Sequence, residues 1–135
     1  MDIRKVTERL SVSPQITEND LAAIKSLGFK TILCNRPDGE EGEMQPKIID
    51  LKSGAEDLGL TFLALPFAGA PSPEVIEQQG QMIAAADAPV LAFCRSGTRS
   101  ITAWALSQAG QGKGPEIIKA AAEAGYDLSG LAAHL

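Results

Sequence analysis

Short apolar, β-rich runs alternate with stretches of helical spacing along almost the whole chain. Residues 10–13 read as a first strand. Behind them Thr17 is placed as an N-cap, with Asp20 in the first turn and Leu21, Ile24 and Leu27 on one helical face, closed by Gly28. Residues 30–34 form a compact buried strand, and Asn35-Arg-Pro-Asp-Gly39 supplies turn chemistry. Pro46 opens a second helix through Ile48, Ile49 and Leu51 to Leu58, stopped by Gly59, and a third strand covers residues 60–65. After a loop over residues 66–71, Ser72-Pro73-Glu74 starts a helix that runs to about Ala86. Residues 89–93 are the last strand, and the loop 94–98 feeds a helix through Trp104 to about Ala109. Gly110, Gly112 and Gly114 separate it from a helix over 115–124, and a short final helix covers 128–133.

Strands that alternate with helices predict a largely parallel sheet covered on both faces. The expectation is one three-layer α/β domain over residues 1–135, with a mainly parallel sheet of four or five strands. A chain of 135 residues suits one such domain, and 44% hydrophobic with 21% charged residues is an ordinary globular composition.

Composition narrows the chemistry more than the fold. The chain has one histidine, His134, beside the C-terminus, and two cysteines. That is too few for a structural Cys/His zinc site, and it leaves no imidazole placed to act as base for a Ser or Cys nucleophile. No metal or cofactor is called for. The net charge of −5 argues against nucleic acid or an anionic membrane as partner. No apolar run is long enough to span a bilayer, and MDIRKVTERL has no signal-peptide core. Two cysteines without an export signal predict free thiols in the cytoplasm.

Ligands of parallel α/β folds bind beyond the carboxyl ends of the strands. Both cysteines sit there, Cys34 at the end of TILC and Cys94 at the end of VLAFC. Arg36, Arg95 and Arg99 lie just past the same two strands. In Cys94-Arg95-Ser96-Gly97-Thr98-Arg99-Ser100 a thiol faces the start of a helix, where free amides and the helix dipole favour negative charge. With Arg95 and Arg99 they should favour the thiolate over the ordinary thiol. Gly97 permits the turn, Arg99 can grip an oxyanion with a planar fork, and Ser100 can hydrogen-bond the sulfur. Cys94 and Arg99 are the expected catalytic pair, and Arg95, Ser96, Gly97, Thr98, Arg99 and Ser100 the expected anion cradle. Cys34, Arg36 and Asp38 are accessory candidates. Asp38, Glu40 and Glu41 follow the rim strand that ends at Cys34, and are either proton donors that reach in or a solvated acidic loop; Glu74 reads as a charge at a helix start rather than a proton donor.

LSVSPQI, TILCNRPDGEEG, CRSGTRS and AGYDLSG together resemble the phosphatase-like family of beta-lactamase hydrolase-like proteins over the whole chain. More distantly, the order of elements resembles dual-specificity tyrosine phosphatases, and the Cys loop resembles that of rhodaneses. The resemblance implies a tyrosine-phosphatase-like fold with Cys94 as nucleophile and residues 95–99 as anion cradle.

Sulfur and phosphate chemistry are then in competition. Phosphatases of this type read His-Cys-x5-Arg, whereas here four residues separate Cys94 from Arg99 and Phe93 replaces the histidine. The loop has the rhodanese length. A phosphatase also uses a carboxylic acid to protonate its leaving group, and Leu65-Pro-Phe-Ala-Gly-Ala70 provides none. Both departures lead to the expectation of a sulfurtransferase that moves sulfane sulfur from thiosulfate or a persulfide through a Cys94 persulfide to a thiol acceptor. A persulfide-handling partner protein is implied by the family's occurrence beside metallo-β-lactamase-like domains. The alternative is a phosphatase acting on phosphate monoesters or phosphotyrosine through a Cys94 phosphoenzyme. A weakly catalytic anion-binding module is a third reading. Cys34 is either a buried core thiol or a partner for a reversible disulfide with Cys94. Tyr126 reads as a residue that packs a helix junction.

Overall fold

The computed structural model describes residues 1–87 and 89–135. Its strands are β1 (Arg4–Lys5), β2 (Leu10–Ser13), β3 (Thr31–Cys34), β4 (Thr61–Ala64) and β5 (Val90–Phe93). Its α-helices are α1 (Leu21–Ser26), α2 (Ile48–Asp57), α3 (Pro73–Ala85), α4 (Thr98–Ser107) and α5 (Gly114–Glu123). The sheet order is β1-β2-β5-β3-β4, with β5 in the middle; every pair is parallel except β1 with β2.

Strand alternation sorts the core into two halves. Leu10, Val12, Leu33, Val90 and Ala92 point to the face covered by α3, α4 and α5, where they meet Ile83, Ile101, Trp104, Ile117 and Ala121. Ile32, Cys34, Leu91 and Phe93 point to the other face, against Leu21 and Ile24 of α1 and Leu51 and Ala55 of α2. The chain is therefore a three-layer α/β domain. Phe93 is fully buried, which stabilises the fold by about 2–3 kcal/mol. It also fixes where the next residue, Cys94, leaves the sheet.

Several local details differ from the periodicity. Leu27 ends α1 and is exposed, as is Ile49 on α2, so neither belongs to the core. Helix α2 starts at Ile48, two residues after Pro46, because Asp38 caps it: Oδ1 accepts the Ile48 amide at 2.9 Å. Thr17 precedes a short 3-10 turn over Glu18–Asp20, and its amide donates to Asp20 Oδ2 at 2.8 Å. The final segment Ser129–His134 is also a 3-10 helix. Strand β1 carries no apolar alternation and is legible only from its pairing with β2. Among the described residues, no helix is long and apolar enough to cross a membrane.

Candidate active site

The chain leaves β5 at Cys94, whose side chain is buried at 1% exposure. Its Sγ accepts a hydrogen bond from the Gly97 amide at 3.1 Å. Gly97 has φ +93, a left-handed conformation, and its carbonyl accepts the Ile101 amide at 3.0 Å to begin α4. A side chain is excluded there twice over, by the backbone angle and because a Cβ would overlap the Tyr126 hydroxyl. Two loop carbonyls are held from outside. Arg95 O accepts the Gln15 amide at 3.3 Å, and Ser96 O accepts the Tyr126 hydroxyl at 2.9 Å. The loop thus presents an amide, not a carbonyl, to the sulfur.

Arg99 sits on the first turn of α4, and its donors can be counted. Nη1 donates to Glu40 Oε2 at 2.8 Å and to Phe67 O at 3.0 Å, and Nη2 donates to Glu40 Oε1 at 2.7 Å. A guanidinium has five N–H groups. The Nε–H and the second Nη2–H have no acceptor among the described residues, and these two form one parallel edge suited to an oxyanion. Glu40 therefore orients Arg99 without consuming the side-on fork. The Arg99 guanidinium is held above its ordinary value, first by the hydrogen bonds to Glu40, against burial, with Cys94 among the groups that add to the rise.

Glu40 is itself held from below. Arg36, only 2% exposed, donates from Nε to Glu40 Oε1 at 2.9 Å, from Nη2 to Glu41 Oε1 at 3.0 Å and from Nη1 to Gln15 Oε1 at 3.1 Å. Glu41 also meets Arg95 at 3.5 Å. Three guanidinium groups thus face two carboxylates, and the rim keeps a positive excess for an anion. Hydrogen bonds from Arg99, then from Arg36, hold the Glu40 carboxyl at about 2, far below the usual carboxylate range. It is an anionic strut at neutral pH and has no proton to give while so engaged.

The remaining candidates fall into place around this core. Ser96 and Thr98 line the exposed lip, joined by their hydroxyls at 3.0 Å, and Arg95 projects from it with 70% of its side chain exposed. Ser100 is fully buried in the first turn of α4, and its Oγ has no hydrogen-bond partner among the described residues. An orphaned buried hydroxyl costs about 1–3 kcal/mol and calls for a reason. Asp38 is turned away to cap α2, and Glu74 is exposed in the first turn of α3. Cys34 lies on β3 opposite Phe93 of β5, one residue short of Cys94, and both cysteines are free thiols. Burial pushes the Cys34 thiol up to about 12, only partly offset by the Arg36 backbone, and Sγ lies 3.4 Å from the Arg36 carbonyl.

Three supports had no sequence signal of their own. Gln15 ties the loop to Arg36, Tyr126 holds Ser96, and Asn35 with Gln79 forms a fully buried amide pair. Asn35 Nδ2 donates to Gln79 Oε1 at 2.8 Å, and Gln79 Nε2 donates to Asn35 Oδ1 at 3.0 Å and to Ser100 O at 3.3 Å. The pair locks the first turn of α4 to the end of β3. A separate surface cleft of about 450 Å³ is lined by Glu18, Glu43 and Asp50 among others and contains none of the Cys94 loop. Among the described residues no group of His, Cys, Asp and Glu is arranged to hold a metal.

The chain is similar to several known proteins. A beta-lactamase hydrolase-like protein from Agrobacterium fabrum is 36% identical over 110 residues, 81% of this chain but 25% of that protein, so the chain spans about a quarter of its relative's length. A candidate phosphatase from Neisseria meningitidis Z2491 is 40% identical, with a TM-score of 0.86 over 98% of this chain and 95% of that one. PTPMT1, at 15% identity, shares the fold with a TM-score of 0.71 over 90% and 81% of the two chains. The fold is thus tyrosine-phosphatase-like. Residues 2–111 match the description "Beta-lactamase hydrolase-like protein, phosphatase-like domain", and with that match over most of its length the chain belongs to this family.

Proposed function

We propose that the chain is a cysteine-dependent phosphatase, and that the order of the two chemistries expected from the sequence reverses. Loop length had favoured sulfur; the family and the 40%-identical candidate phosphatase give that preference no support and favour phosphate. The observation that carries the reading is the free Nε–Nη2 edge of Arg99, held by Glu40 and Phe67 on the turn above Cys94. A fork fixed in advance holds two phosphoryl oxygens without reorganisation, which is how a positioned dipole lowers a barrier.

In the first step the Cys94 thiolate forms an S–P bond as the P–O bond to the leaving group breaks. In the second, water attacks phosphorus, the S–P bond breaks, and Cys94 departs as thiolate while the water proton passes to solvent. The Gly97 N–H, which donates to Sγ at 3.1 Å, is the group that stabilises the sulfur anion. Glu40 is held ionised, Glu41 is paired with Arg36 and Arg95, and residues 66–70 offer no carboxyl, so on this reading the leaving group departs without a carboxylic acid. That favours substrates whose leaving group is already a weak base, aryl phosphates in the first place. Two free thiols suit a reducing compartment such as the cytoplasm.

Sulfur transfer stays as a second reading because the four-residue spacing from Cys94 to Arg99 and the acid-free 66–70 segment favour it. Intact-mass spectrometry of the protein incubated with an aryl phosphate, and separately with thiosulfate, decides between them. A phosphoryl adduct that disappears in Cys94→Ser supports the phosphatase. A one-sulfur adduct with no phosphoryl adduct overturns it. No adduct from either supports an anion-binding module.

A further inference from the structure

Tyr126 lies beyond residues 2–111, the part of the chain that matches the phosphatase-like domain. Gly125, with φ +96, turns the chain out of α5 and brings Tyr126 behind the Cys94 loop. There its hydroxyl donates to the Ser96 carbonyl at 2.9 Å. The Ser96 carbonyl and the Gly97 N–H are the two ends of one peptide group, and in a trans peptide they point in opposite directions. The far end donates to Cys94 Sγ at 3.1 Å. Phenol, peptide and sulfur form one chain, O–H to O=C and N–H to S, in which each bond polarises the next.

We propose that Tyr126 is a positioning residue for Cys94, acting through the Ser96–Gly97 peptide to aim its amide at the sulfur and to strengthen that amide as a donor to the thiolate. The peptide could otherwise flip and turn a carbonyl toward the anion, which would repel it. Tyr126 is held for this task by Arg4 of the edge strand β1. Arg4 lies 5.8 Å from its ring centroid, and Arg4 Nη1 donates to Ala124 O at 3.0 Å, beside the turn that delivers the ring. Burial holds the phenol above its ordinary value, against the pull of the nearby Arg4, so the hydroxyl keeps its proton at neutral pH. Gly97 completes the fit, because any side chain there would displace the hydroxyl from Ser96. The C-terminal segment is thereby part of the nucleophile's machinery and not only a cover for the core.

The proposal rests on Cys94 working as a thiolate, but not on which anion it attacks. Iodoacetamide alkylation of the full chain, followed by intact mass across pH, tests it in the wild type and in Tyr126→Phe, which keeps the ring and its contact with Arg4. The variant's profile is expected to shift upward by roughly half a pH unit, with about a threefold slower reaction at neutral pH. Superimposable profiles overturn the role of Tyr126. If the wild-type profile has the midpoint of an ordinary thiol, the thiolate reading fails, while the difference between the two proteins still decides on Tyr126. A second measurement needs no variant: the Gly97 amide proton resonance should titrate with Cys94 in the wild type. An amide that ignores that titration also overturns the proposal.

Discussion

Cys34 and Cys94 end neighbouring parallel strands at the same rim, and both are 1% exposed. Their surroundings nonetheless differ. Cys34 packs among Ile32, Phe93 and the residues of α1 and α2, with the Arg36 carbonyl beside its sulfur. Burial there favours the neutral thiol and raises it to about 12. Cys94 has turned out of the sheet to the N-terminal end of α4, where an amide donates to its sulfur and Arg99 is close enough to be influenced by it. If Cys94 is the nucleophile, as proposed, burial alone does not decide reactivity. What decides it is whether the low-dielectric site offers donors to the anion or only apolar packing.

The sharpest way to break this contrast is to remove the sulfur that has the donors. Cys94→Ser should lower aryl phosphate turnover by at least about 10³-fold, as expected when a nucleophile is lost. Retained turnover would move the chemistry elsewhere. The next effect in size belongs to the fork. Arg99→Lys keeps the charge but cannot hold Glu40, Phe67 O and a substrate at once, so turnover should fall about 10²-fold. Steady-state kinetics at saturating substrate separates this from simple weakening of binding.

Much of the contrast was legible from residue order. Both strand-end cysteines, the loop 94–100 and the three rim arginines stand out because strand, turn and helix signals are local. Arg36 marks where that legibility stopped. Its position after β3 was readable, but its burial beneath Glu40, Glu41 and Gln15 depends on a loop folding back over it. Glu40 was visible as a rim carboxylate and Asp38 as a rim candidate. Only the packed structure separates the strut on Arg99 from the cap on α2. Tyr126 lies 30 residues from Ser96, and nothing in its own neighbourhood signals that meeting. The Cys-x4-Arg spacing from Cys94 to Arg99 does not by itself separate sulfur from phosphate. It counts amides but does not reveal how Arg99 is held or which of its edges is free.

Glu40 sharpens the contrast through Arg99, which it holds while Arg36 holds it from below. Its folded value of about 2 lies below the ordinary 4.5, so the strut's contribution is fully present above pH 4.5. It is lost as pH falls through about 2, when the carboxyl protonates and releases Arg99. Glu40→Gln should reproduce that release at neutral pH, with an expected fall in turnover of about tenfold. Thermal unfolding of the variant should also lose the part of the acid dependence that Glu40 supplies. An unchanged profile would mean that Phe67 O alone fixes the fork.

The smallest expected effect is also the most direct check on the Cys34 side. Cys34→Ala removes a thiol that touches core and carbonyl but no part of the anion cradle, so turnover should change by less than about twofold. Stability should fall by about 1–2 kcal/mol, because a packed sulfur is lost from a site that cannot fully collapse. Denaturant melts measure that cost. Thiol counting completes the test: brief alkylation of the native wild type should label one cysteine, and only unfolding should expose the second. If native Cys34→Ala lost its activity, or if Cys34 reacted as readily as Cys94 in the folded protein, the two strand ends would share one reactive site. A reversible disulfide between them would then become the better description of the pair, since β3 and β5 already place the residues one register step apart.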